Sequence, residues 1–227
     1  QILGGLKPIG LADEMGWSEK DYADVVFYFQ AAYTVAYLLF GAFIDKVGAK
    51  LGYGIAFAIW QIAHIAHAGA RDTAHFIMAR VALGIGEAGN FPAGLKAVTE
   101  WFPKKERAFA VGIFNAGSNI GAIVTPLVVP VIMYTWGWQM AFIITGVVGL
   151  VWLPVWFLLY RKPEVNPKVN AAELAYIQQD PADEEKKVGW LNVATKRETW
   201  GFSLAKFLID PVWWMLLFWA PSFFKGT

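Results

Sequence analysis

The sequence predicts an all-α membrane protein. Long apolar runs recur along the 227 residues, which are 57% hydrophobic. Only 16% are charged, against about 25% in a typical soluble domain. The charges that remain crowd into the short segments between the runs. A spanning helix needs roughly 20 mainly apolar residues, and the runs have that length.

The elements follow in order. Residues 1–12 read as the outer end of a first helix whose beginning lies outside this chain. "QILGGLKPIG" has no basic start, initiator Met or cleavage site, so it is not a signal peptide. Val25–Ile44 is the second span, interrupted by Gln30 and three tyrosines, and Leu51–Gly69 is the third, with Gln61, His64 and His67 inside it. Phe76–Val98 is the fourth and holds Arg80, Glu87 and Lys96, with Pro92 kinking its inner end. Ala108–Tyr134 and Trp138–Tyr160 are the cleanest runs. A polar linker over residues 161–199 follows, with Pro163, Pro167, Pro181 and the mixed-charge run "DPADEEKKVGW". Within it "NAAELAYIQQ" has the composition of a short surface helix. A seventh span occupies residues 200–227, its start broken by Asp210-Pro211. The domains are therefore a bundle over 1–160, the linker 161–199, and the first helix of a second bundle. The chain reads as a fragment of a two-bundle protein.

Charge sets the orientation. Lys46 and Lys50, then Lys104, Lys105 and Arg107, then Arg161 and Lys162 fall in alternate loops; the other loops carry only Lys7, Lys20 and Arg71. The positive-inside rule places the richer loops and the linker in the cytoplasm. Trp17, Trp136 and Trp138 then fall at the outer interface. The absence of cysteine excludes disulfides and thiolate metal sites. No basic face stands free of the apolar runs, which argues against nucleic acid. No nucleophile–base set appears, which argues against an enzyme.

Gly84-Ile85-Gly86-Glu87-Ala88-Gly89 spells G-x-G-x-x-G, the pattern of a dinucleotide-binding turn. Such a turn follows a strand and opens a helix. Here it lies inside an apolar run, where helical N–H groups are already bonded. The glycines read instead as small residues for close helix packing. Arg80 and Glu87 are seven positions apart, so on a straight helix they share one face to within roughly 20°. Glu87 then lies roughly 17 Å deep, near the middle of a ~30 Å core. Arg80 leans toward the helix start, away from Glu87, so a direct pair is not expected. Charges at such depth mark function or a structural ion pair with another helix. A carboxylate at low dielectric can load and release a proton near neutral pH. A guanidinium suits a carboxylate ligand.

Other polar groups divide between packing and binding. Asn115, Ser118 and Asn119 fit interhelical hydrogen bonds or a hydroxyl-rich ligand, and Gln30 is similar. His64 and His67, with no acidic or thiol companion, read as packing residues rather than a metal pair or a proton relay. Lys96 reads as snorkelling to the inner interface.

"GAFIDKVGAKLGYG" is an ordinary basic loop by composition. Its spacing, G-x-x-x-D-K-x-G-x-K, resembles the loop between the second and third helices of the major facilitator superfamily. Gly41, Asp45, Lys46, Gly48 and Lys50 match; Phe43 and Ala49 depart from the commonest residues. "RVALGIGEAGNFPAGLKAVTEWFPKKERAFAVGIFNAGSNIGAIVTPLV" is similar to the fourth and fifth helices of the anion:cation symporters in that superfamily, closest to the bacterial hexuronate transporters. The likeness covers nearly the whole chain. It implies a six-helix N-terminal bundle of a twelve-helix protein and proton-driven symport of an organic acid by alternating access. On the resemblance, Arg80 binds or gates the anion, Glu87 couples protons, and Tyr33 lines the site. Gly41, Asp45, Lys46, Gly48 and Lys50 form a cytoplasmic gate, with Glu100 and Arg107 as partners. The expected setting is a bacterial inner membrane and a monomer, with the proton gradient as energy source and neither cofactor nor metal. The acidic-basic pair of the family's first helix would fall before Gln1. The alternatives are another organic anion (aldonate, sialate-like or dicarboxylate) or an anion sensor that does not transport.

Overall fold

The computed structural model describes residues 2–180 and 190–225, and these contain helices and no strand. The run "PADEEKKVG" inside the linker and the side chain of Ser118 lie outside the described residues. Short helices α1 (Ile2–Leu6) and α2 (Leu11–Met15) lead into α3 (Glu19–Ala66). Ser18 starts α3 with a reciprocal capping box: its hydroxyl accepts from Asp21 N–H while Asp21 accepts from Ser18 N–H. α3 is two antiparallel arms joined at Gly48, whose φ of 83° and ψ of 162° only glycine adopts readily. The expected second and third spans are these arms.

The expected fourth span is not one helix. α4 (Thr73–Glu87) ends at Glu87, Ala88 and Gly89 form a turn, and α5 (Asn90–Trp101) resumes. Pro92 offers no N–H to the Ala88 carbonyl one turn earlier, so the break falls directly after Glu87 rather than at the inner end. α6 (Lys104–Trp136) and α7 (Trp138–Leu159) match the cleanest runs. α8 (Ala171–Ile177) is the expected linker helix, capped by Asn170, whose side chain accepts from Glu173 N–H. After α9 (Trp190–Ala194), α10 (Arg197–Lys225) runs unbroken through Asp210-Pro211, contrary to expectation. Lys206 pairs with Asp210 one turn on at 2.8 Å. Among the described residues, three helical stretches are long and apolar enough to cross a membrane: Glu19–Gly69, which contains both arms of α3, Lys104–Trp136 and Trp138–Leu159.

The glycines of the G-x-G-x-x-G string pack helices. A Cβ on Gly84 would lie 2.7 Å from Phe29 O on the first arm of α3; one on Gly86 would lie 2.8 Å from Trp60 Cα on the second. A Cβ on Gly89 would lie 2.5 Å from Ala56 Cβ and 2.8 Å from Phe40 Cδ1. α4 therefore nests between the two arms with backbones in contact. Apolar clusters fill the bundle along its length. Leu6, Tyr22, Phe76, Trp138 and Phe142 are buried at the Gly137 end. Phe29, Ala63 and Leu83 follow, then Phe40, Ile44, Ala88 and Ala93 toward the Gly48 end. The outer faces of α6 and α7 expose Leu127, Val131, Val148, Val151 and Leu158, as a lipid-facing surface does.

Candidate functional site

The nested helix puts Arg80 and Glu87 against one cavity. It measures about 460 Å³ and lies between α1, α3, α4, α5, α6, α7 and α10. Arg80 and Glu87 both line it, as their seven-residue spacing predicts. The Arg80 side chain is only 5% exposed. Its guanidinium carbon sits 5.6 Å from the centre of the Phe29 ring, a cation–π contact, and its Nε has no hydrogen-bond partner. Among the described residues neither Arg80 nor Glu87 makes a salt bridge. A buried guanidinium with an unused donor suits an anion.

The remaining wall is part polar and part aromatic. His64, Asn90 and Thr125 supply polar groups. Phe29, Trp60, Phe142, Trp213 and Trp214 supply rings. Sequence reasoning did not assign Asn90, Thr125 or Trp60 to a site. Asn90 had a signal, as an amide following Glu87 inside an apolar run; Thr125 and Trp60 did not differ from their apolar neighbours.

Other expected binding residues are not among those lining this cavity. Tyr33 is half-buried between Phe29 and Tyr37, its ring centre 6.0 Å from each. Gln30 is half-buried on the same arm, and Asn115 and Asn119 are exposed on α6. His67 packs: its ring stacks on Phe142 at 4.9 Å and its Nδ1–H donates to Ala63 O at 2.8 Å. No group of three or more metal-ligating side chains occurs among the described residues.

The expected gate residues lie toward the Gly48 end, where Asp45, Glu100, Arg107 and Lys50 bond to residues outside the expected set. Gly41 lies within the first arm one turn before Asp45, and Lys46 precedes the Gly48 turn. Asp45 pairs with Lys96 of α5 at 3.0 Å, so Lys96 reaches a carboxylate rather than the interface alone. Glu100 accepts from Tyr160 Oη–H at 2.6 Å. Burial, together with that carboxylate, holds the Tyr160 hydroxyl well above the ordinary tyrosine range, so it remains a donor at physiological pH. Arg107 donates to Phe102 O at 3.1 Å and Thr99 O at 3.3 Å, capping the end of α5. Lys50 enters through its carbonyl, which accepts from Trp156 Nε1–H at 3.0 Å. The linker joins the same end: Asp180 accepts from Lys104 N–H at 2.5 Å, and Tyr176 donates to Glu106.

Known proteins share this architecture. A bacterial homologue of the human lysosomal transporter Spinster, solved inward-facing and unoccupied, superposes with a TM-score of 0.66 over 98% of this chain and 52% of its own, at 18% identity. The galacturonate transporter of Dickeya chrysanthemi is 35% identical over 218 residues, covering 94% of this chain and 63% of its own length. The hexuronate transporter of Escherichia coli is 36% identical over 218 residues, covering 94% of this chain and 50% of its own length. The chain thus spans about half to two thirds of these relatives. The profile of the Major Facilitator Superfamily matches residues 1–227. With that match running from one end to the other, the chain belongs to the Major Facilitator Superfamily.

Proposed function

We propose that the full-length protein carries a hexuronate-class sugar acid across a membrane by alternating access, coupled to protons. One observation carries the reading: Arg80 and Glu87 line a single cavity, and the buried guanidinium has an unused donor. The cavity's 460 Å³ lies in the ~300–1,000 Å³ range of small-molecule sites. Arg80 offers a fixed charge and forked donors to a carboxylate. The polar groups of His64, Asn90 and Thr125 suit hydroxyls, and the indoles of Trp60 and Trp213 offer faces to a sugar ring. Glu87 is the proton-carrying group in this reading. The names of the two relatives support a uronate rather than another anion. The same reading sets the protein in a bacterial inner membrane as a monomer, with the Gly48 end and the linker in the cytoplasm. The proton gradient drives it without a cofactor. The pairs Asp45–Lys96 and Tyr160–Glu100 belong to its cytoplasmic gate.

The test is uptake of labelled galacturonate into proteoliposomes holding the full-length protein under an inward pH gradient. The wild type accumulates galacturonate. Glu87→Gln retains exchange and loses gradient-driven accumulation. Arg80→Lys, which loses the fork, weakens apparent affinity by about tenfold or more. A wild type that binds the uronate without moving it supports the sensor. Undiminished accumulation by Glu87→Gln removes Glu87 from coupling.

A further inference from the structure

His64 stands in the cavity wall on the second arm of α3, beside Arg80. Its Nε2 lies 2.9 Å from Thr145 Oγ1 of α7. Thr145 Oγ1 also lies 2.5 Å from Ala141 O, one turn earlier on its own helix. A hydroxyl has one hydrogen and a carbonyl only accepts, so the Thr145 hydrogen goes to Ala141. Thr145 must then accept from His64, which places a proton on Nε2. An ordinary histidine is mostly neutral at pH 7.5. In that form the protonated Nε2 leaves Nδ1 as a bare acceptor. Packing fixes the ring as well as the hydrogen bond. Gly146 brings α7 so close that an added Cβ would lie 3.3 Å from His64 Cδ2, and the Phe142 ring centre is 5.2 Å away.

The cavity wall therefore holds a fixed cation and an imidazole whose Nδ1 is a neutral acceptor. We propose that His64 determines specificity: its Nδ1 accepts a hydrogen bond from a ligand hydroxyl while Arg80 holds the carboxylate. This rests on the uronate reading above and adds which group tells a hydroxylated acid from a plain one. Thr145 is a positioning residue that sets the imidazole's tautomer and direction.

Amide side chains separate the two ring nitrogens. Glutamine keeps a donor where Nε2 stood and puts nothing at Nδ1; asparagine puts an acceptor oxygen near Nδ1 and drops the bond to Thr145. The experiment measures binding of galacturonate and each of its mono-deoxy analogues to the full-length protein in detergent. The wild type should bind galacturonate about tenfold more tightly than one of the analogues, the size of one hydrogen bond. His64→Gln should bind that analogue and galacturonate equally, and His64→Asn should restore part of the preference. If His64→Gln does not fold, Thr145→Val should show the same loss of preference. Full discrimination in the variant overturns the assignment and leaves the uronate reading intact. So does an equal loss of affinity for every ligand, which marks a structural role. A wild type that binds no uronate overturns both.

Discussion

Gly86 offers a direct test of the nested α4. A Cβ at this position would lie 2.8 Å from Trp60 Cα and 2.9 Å from Ala56 O, and against Trp60 N. Ordinary carbon contacts are about 3.5–4.0 Å, so the helices must part by roughly 0.7–1.2 Å to admit one methyl group. The obstructing atoms are backbone in a helix and cannot rotate aside. Overpacking of this kind costs about 1–3 kcal/mol. At roughly 1–1.5 °C per kcal/mol for the full-length chain, Gly86→Ala should lower Tm by roughly 1–5 °C. The assay is thermal unfolding of the full-length protein in detergent, followed by intrinsic tryptophan fluorescence. Gly112→Ala on α6 is the control, because a Cβ there meets nothing within 4 Å. Alanine's better helix propensity should hold or raise its Tm. A Gly86→Ala protein as stable as the control would refute the close approach of α4 to the second arm of α3.

Gly48→Ala has no steric neighbour within 4 Å, so its cost is backbone strain alone. At φ 83° and ψ 162° this should be about 1–3 kcal/mol, read as a lower Tm than wild type. Asp72 caps α4 by accepting from His75 N–H at 2.8 Å, and that bond holds its carboxyl below the ordinary 3.8. A depressed folded-state pKa gives stability that is present above the unfolded value and lost as pH falls through the folded one. The Tm gap between wild type and Asp72→Ala should therefore hold from neutrality down to about pH 4 and close below it. A gap that persists at pH 2–3 would show that the carboxylate's charge is not what caps the helix.

The sequence by itself determined the helices and the special positions within them. Run length marked both arms of α3, α6 and α7, and the turn glycine marked the reversal at Gly48. The shared face of Arg80 and Glu87 followed from helical periodicity. Glycines 84, 86 and 89 were legible as packing residues because no strand precedes the string, as a dinucleotide turn requires. Tertiary structure decided which faces meet. In a lipid-facing bundle both the core and the outside are apolar, so hydrophobic pattern cannot tell the cavity side of α6 from its lipid side. Thr125 thus lines the cavity while Asn115 and Asn119 are exposed. The partners of the gate charges were hidden for a related reason. A charge at a helix end has several neighbours within reach, and only the packing of α5 against α3 and against the residues just after α7 gave Asp45 to Lys96 and Glu100 to Tyr160. Proline was ambiguous in the same way. Pro92 ends a helix beside Glu87 while Pro211 sits within a continuous one, because the surrounding contacts, rather than the residue alone, decide whether the lost hydrogen bond opens the chain.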